Sequence, residues 1–296
     1  MKSSIFDQGL NKLNKLNRNG ILVLSIIVLL GLIHLSFPFS GDQALFTVGA
    51  SKINQGGVLY RDFWDLKQPG IYWFYFLAGK FFGFNEIGIH TFEILYFLMF
   101  SIVLSNTLKH YYKYSITSSF VPILTVGIYY ASAGAWHLTQ LEALVGFPIF
   151  LTIWFIYQSS KSEIYDNKLL FLSGFTAGIV LLFKLLFLPI VLSFWAVAIL
   201  DAVTRKKQIF INVLLNIVIP ISIGISIPLL ISIFYFARLD VLNLLYQTYI
   251  EYPPRILREI PHAEVGRLFQ GIRWFVTRYA SIVLLGSIGI YVLERV

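Results

Sequence analysis

The sequence predicts an all-α fold: a polytopic bundle of about eight transmembrane helices, with interfacial helical segments at one membrane face. Three observations predict it. Of 296 residues, 57% are hydrophobic and only 13% charged, with a mean hydropathy of +0.74, whereas a soluble domain carries about 25% charged residues. Apolar runs near the length of about 20 residues needed to cross a bilayer recur along the chain. Much of the net charge of +8 lies between these runs, where it sets orientation and is no signal for nucleic acid. The absence of cysteine excludes disulfides and thiolate metal sites. No soluble domain or internal repeat is visible, so 1–296 reads as one membrane domain.

Met1–Asn19 is a basic leader with Lys2, Lys12, Lys15 and Arg18. Basic residues beside a first span favour the cytoplasm; a lipid-surface helix is the alternative. Ile21–Phe37 lacks a small-residue cleavage site and reads as a retained helix. The expected crossings are about 21–37, 87–108, 118–135, 140–158, 168–184, 185–203, 209–234 and 275–293. The block 168–203 is too long for one span, and Lys184 near its middle marks the turn. The run 71–84 is short and contains Lys80. If it crossed, the cluster Arg205-Lys206-Lys207 would lie outside, so it is expected to be interfacial or re-entrant.

This topology places two large segments outside, 38–86 and 237–274. In the first, Ser40 and Gln43 have capping-box spacing. Leu45, Val48, Ala50 and Ile53 then mark a short amphipathic helix on the membrane, ended by Gly56-Gly57. Pro69-Gly70 closes the loop. In the second, Tyr252-Pro253-Pro254 predicts an extended turn.

The candidate chemistry gathers in these segments. Asp42, Arg61, Asp62, Asp65 and Lys67 share the first with Phe46, Tyr60, Phe63 and Trp64. Asp42 either complements a helix dipole or serves as a general base at a cavity mouth. Glu142 follows His137-Leu-Thr-Gln-Leu and opens an apolar span. It faces either a polar cavity or the headgroup zone. Lys184 either snorkels to the interface or pairs with a lipid phosphate. Residues 237–280 hold Arg238, Arg255, Arg258, Arg267, Arg273 and Arg278 and no lysine. Arginine binds phosphate through bidentate hydrogen bonds; pairing with Asp240, Glu251, Glu259 and Glu264 or contact with anionic headgroups is the alternative. No Walker loop, H-E-x-x-H or G-x-S-x-G occurs, and the five histidines lack metal-ligand spacing.

An Asp after the first span, then LYRDFWDLKQPG, then a short helix ending in FFGFN, resembles the C-type membrane glycosyltransferases. The nearest branch is the bacterial enzymes similar to protein O-mannosyltransferases and aminoarabinose transferases. Asp42 matches the family's first acid, and Asp65, Lys67 and Pro69 its loop. Glu142 matches a later acid, and GFTAGIVLLFK, ending at Lys184, a Gly-rich span. The resemblance covers most of 20–205. Gln43, Gln68 and Leu185 depart from the pattern; Gln43 replaces a second acid, which puts metal binding there in doubt. Family members usually have more spans, so a short or truncated member is expected.

The resemblance implies transfer of a sugar from a polyprenyl-phosphate donor to a glycan, lipid or protein acceptor at the outer face of a bacterial inner membrane. Asp42 would be the base. Glu142 would orient the acceptor or, with Asp42, help hold a divalent metal. Lys67, Lys184, Arg61, Arg255 and Arg258 would bind donor phosphate. Asp65, Trp64, Trp73, His137 and Tyr252 would line the substrate. Two other classes compete: a flippase for lipid-linked saccharides, which the apolar middles of most spans disfavour, and an inactive truncated scaffold.

Overall fold

The structure, a computed structural model, describes residues 18–111 and 116–259, and a few helical positions between 269 and 284; of residues 18, 109–111, 116–118 and 257–259 it describes the backbone only. Among the described residues the chain is helical without strands, apart from an isolated bridge between Leu59 and Phe63. It divides into two compact units, Met1–Leu244 and Leu245–Val296.

In the first unit, α1 (Arg18–Ile33) packs against α4 (Glu86–Tyr111) and against α5 (Ile116–Pro122). Pro122 lacks a donor N–H, and after it the helix widens into a π turn (Ile123–Gly127) before α6 (Ile128–Ser132). Between α1 and α4 lie α2 (Asp42–Asn54) and α3 (Pro69–Phe82). Proline suits the first turn of α3 because that N–H has no helical partner. A second group follows: α7 (Leu141–Leu144), α8 (Gly146–Ser160), α9 (Asn167–Phe183), α10 (Leu188–Thr204), α11 (Phe210–Val213) and α12 (Ile219–Arg238).

Helices α9 and α12 cross at contact distance because three glycines line the crossing. A Cβ on Gly174 would lie 2.2 Å from the Ile221 carbonyl oxygen, and one on Gly224 2.1 Å from that of Phe171. Gly178 meets Pro228 and completes a G-x-x-x-G spacing, the small-residue device of membrane helix pairs. The Gly-rich stretch of the sequence is thus a packing seam.

Among the described residues, four helices are long and apolar enough to cross a membrane: Glu86–Leu108, Leu141–Ser160, Leu185–Thr204 and Phe210–Arg238. The last, 29 residues, extends about 44 Å. Asn19–Ile33, Ser119–Ser132 and Asn167–Phe183 are shorter apolar helices. The chain therefore has the build of a membrane protein, and apolar side chains such as Ile231 and Phe234 remain exposed along the longest helix. The expected span 275–293 and the leader 1–17 lie outside the described residues. The block 168–203 does break at Lys184, whose extended backbone separates α9 from a 3-10 turn (Leu185–Phe187) and α10.

Three local expectations are corrected. Ser40 and Gln43 form no capping box: Gly41 is the N-cap of α2, no side chain caps it, and Gln43 is buried and turned to a distant loop. The buried face of α2 runs through Phe46, Thr47, Gly49 and Ala50, while Leu45 and Val48 are exposed. Segment 237–259 is helical beyond residue 241: α13 (Leu242–Tyr246), a π turn (Gln247–Glu251) and α14 (Tyr252–Glu259) follow one another. Tyr252-Pro253-Pro254 thus opens a helix, with Tyr252 at φ −70° and ψ −44°. The π turn immediately precedes the two prolines, which lack N–H donors.

Candidate active site

The site lies in the first unit, where the starts of α2, α3 and α7 meet the end of α9. Gly70 makes the meeting close, since a Cβ there would lie 2.6 Å from the Leu182 carbonyl oxygen. Lys67, just before α3, and Lys184, just after α9, are therefore neighbours of one junction. Each lysine meets a carboxylate. Lys67 Nζ lies 3.0 Å from Asp42 Oδ2, and Lys184 Nζ 2.6 Å from Glu142 Oε1. The Lys67 charge also reaches Glu142. All four groups are partly accessible. The structure thus brings together Asp42, Lys67, Glu142 and Lys184, which lie up to 142 residues apart in the sequence.

The loop before Glu142 is held by side chains from four helices and by His34, just after α1. His34 Nε2 lies 3.2 Å from the Ala133 carbonyl oxygen. Gln43 Nε2 donates to the Ala135 carbonyl at 2.9 Å and to that of Leu138. Tyr75 donates to the Thr139 carbonyl at 3.1 Å. Glu93 Oε1 accepts from the Thr139 amide at 2.8 Å and from the Tyr129 hydroxyl at 2.5 Å. That hydroxyl also lies 3.1 Å from the His137 carbonyl oxygen. Thr139 keeps φ at +50°, an unfavourable value for a β-branched residue, held by these bonds. The loop presents Trp136 and His137 to the exterior, with the indole lying over Gly41 beside Asp42.

Glu93 was not among the residues singled out in the sequence. It lies inside the apolar run 87–108 and is 1% exposed. The signal was present, because an ionisable residue within a span is costly unless partnered. Here the partners are a backbone amide and a phenol.

Other candidates lie at varying distance from the ion pairs. Asp65 accepts from Tyr72 at 2.5 Å and from its neighbour Leu66 N at 2.7 Å, so it ties the loop to α3. Arg61 is exposed and pairs with Asp62 at 3.2 Å. The Val58 amide, then Arg61, hold the Asp62 carboxyl below its ordinary range. Trp64 is exposed. Trp73 stacks at 15° on Phe236 of α12 and meets Tyr235 edge-on, so it is packed among aromatic residues. His137 is exposed, and its Nδ1 accepts from Gly134 N at 3.3 Å. Arg255 and Tyr252 belong to the second unit, where Arg255 pairs with Glu251 at 3.0 Å within the helix. The Arg258 side chain lies outside the described residues.

An apolar groove of about 380 Å³ lies between α3, α4, α8 and α9, and two of its lining residues, Gly70 and Phe183, are close in the chain to Lys67 and Lys184. Trp73, Tyr96 and Leu151 line its walls. No group of three His, Cys, Asp or Glu able to hold a metal occurs among the described residues. Asp42 and Glu142 each face an ammonium, and Gln43 points its amide nitrogen at carbonyls. This donor set does not fit a resident divalent cation. The chain matches no protein-family model, no curated protein and no solved structure.

Proposed function

We propose that the chain is a membrane glycosyltransferase. It moves a sugar from a polyprenyl-phosphate donor to a hydroxyl of a glycan, lipid or protein acceptor, with inversion, at the outer membrane face. The observation that supports this best is the pairing of two lysines, close in the chain to residues that line an apolar groove, with two carboxylates. An amphiphile with a long hydrocarbon chain and an anionic head has that same division. The resemblance carried by Asp42, Asp65, Lys67, Pro69, Glu142 and Lys184 points the same way.

The donor's first isoprene units lie in the groove against Trp73, and its phosphate takes Lys67 and Lys184 from their carboxylates. Asp42 is then released to accept the proton of the acceptor hydroxyl, and Glu142 to orient that acceptor. The hydroxyl oxygen bonds to the anomeric carbon as the bond from that carbon to the phosphate oxygen breaks. Polyprenyl phosphate leaves with the electron pair, and the two ammonium groups offset its charge. Trp136, over Gly41 beside Asp42, and Trp64, exposed in the loop that carries Lys67, offer faces for a sugar ring.

The test is donor turnover by the purified full chain in detergent, given a panel of polyprenyl-phosphate sugars and read as released polyprenyl phosphate. Asp42→Asn is expected to lower release by about 10²- to 10⁴-fold while leaving the protein folded. Unchanged release in that variant would remove Asp42 from the chemistry. No release from any donor by a folded protein would overturn the transferase and favour a carrier of lipid-linked saccharides or a scaffold.

A further inference from the structure

A second cleft lies at the other end of the second helix group. Helix α8 starts four residues after Glu142 and runs 15 residues, about 22 Å, to Ser160. Between its second half and α10 lies a cleft of about 570 Å³, a size common among small-molecule sites. Its walls are apolar and open sideways: Val197 is 65% and Leu200 60% exposed. Both helices belong to segments long and apolar enough to cross a membrane, so this opening faces hydrocarbon.

The mouth is cationic and built. Lys206 Nζ lies 4.4 Å over the Tyr165 ring and donates to the Ser160 carbonyl at 2.6 Å and to that of Ser162. It therefore fixes the rim. Lys161 Nζ lies 5.1 Å from the centre of the Tyr157 ring, which lines the cleft. Arg205 also lines it; its side chain is 86% exposed and reaches Asp201 only at 3.8 Å, beyond hydrogen-bond length. Asp201, the one carboxylate lining the cleft, already accepts from Tyr165 at 2.9 Å. Burial, then that bond, push the Tyr165 phenol up, which keeps it a donor. The rim thus carries Lys161, Arg205 and Lys206; its acids are Asp201, engaged by Tyr165, Asp166, which caps α9, and Glu163.

We propose that this cleft binds one anionic phospholipid from the surrounding bilayer. An acyl chain lies between α8 and α10, and the phosphate meets the Arg205 guanidinium, with Lys161 beside it. A zwitterionic lipid would bring its own ammonium beside the Arg205 guanidinium and the Lys161 ammonium, so the cleft selects a net negative head. This site shares no residue with the Asp42 cluster and stands whether or not the transfer reaction occurs.

The test is native mass spectrometry of the full chain in mild detergent, titrated with phosphatidylglycerol or phosphatidylcholine of identical acyl chains. Wild type is expected to retain one phosphatidylglycerol in preference to phosphatidylcholine. Arg205→Gln should weaken that retention about tenfold. Val197→Trp, which fills the cleft, should abolish it, and Lys80→Gln at the other end should leave it unchanged. Equal retention of both lipids, or none, would overturn the proposal. Loss with Arg205→Gln but not with Val197→Trp would also overturn it, leaving only headgroup attraction at the surface.

Discussion

Glu93 shows how one buried residue positions a site it does not touch. Its oxygen accepts two hydrogen bonds inside an apolar helix, and both secure the loop that leads to Glu142. Removing the acceptor leaves the Thr139 amide with the Tyr129 hydroxyl alone, and that hydroxyl with the His137 carbonyl alone. Glu93→Ala should therefore cost about 1–3 kcal/mol, read as a lowered unfolding temperature in detergent. An unchanged temperature would mean that water replaces the carboxylate at no cost. The same residue shows what sequence reasoning sees and misses. An acid in TFEILYF is legible as an oddity, but its partners lie 36 and 46 residues away. Gln43 misled for a related reason. Its spacing from Ser40 matches a local cap, yet its amide serves carbonyls more than 90 residues on. Local patterns encode local bonds, and a buried side chain answers to the tertiary bond available to it.

At the scale of elements, the apolar runs made most helices legible, and the break at Lys184 followed from a run too long for one crossing. The helix at Tyr252 was not legible, because two prolines suppress helix by propensity and the helical stretch before them, α13 and its π turn, was not expected. The crossing of α9 and α12 was legible as glycines but not as a contact. It yields a prediction. Gly224→Val should cost about 1–3 kcal/mol, because even a Cβ there meets the Phe171 carbonyl oxygen at 2.1 Å. It should also lower donor turnover, since α9 delivers Lys184 to Glu142. Gly146→Ala is the matched control, as a Cβ at Gly146 meets nothing within 4 Å. Equal unfolding temperatures for the two variants would contradict the seam.

For the whole molecule, the topology read from charge can be tested cleanly, because the chain has no native cysteine. Single cysteines at Trp136, Gln55 and Lys80 should react with a membrane-impermeant maleimide from outside intact cells. One at Lys207 should react only after permeabilisation. Labelling of Gln55 and Lys80 from opposite sides would mean that the helix Pro69–Phe82 crosses after all. The loop before Glu142 has a further consequence, in the order of synthesis. His34, Gln43, Tyr75, Glu93 and Tyr129 all precede the bonds they make with residues 133–139. A ribosome delivers those residues to receivers already made. The loop can set as it emerges, and Glu142 follows onto a finished foundation, waiting only for Lys184.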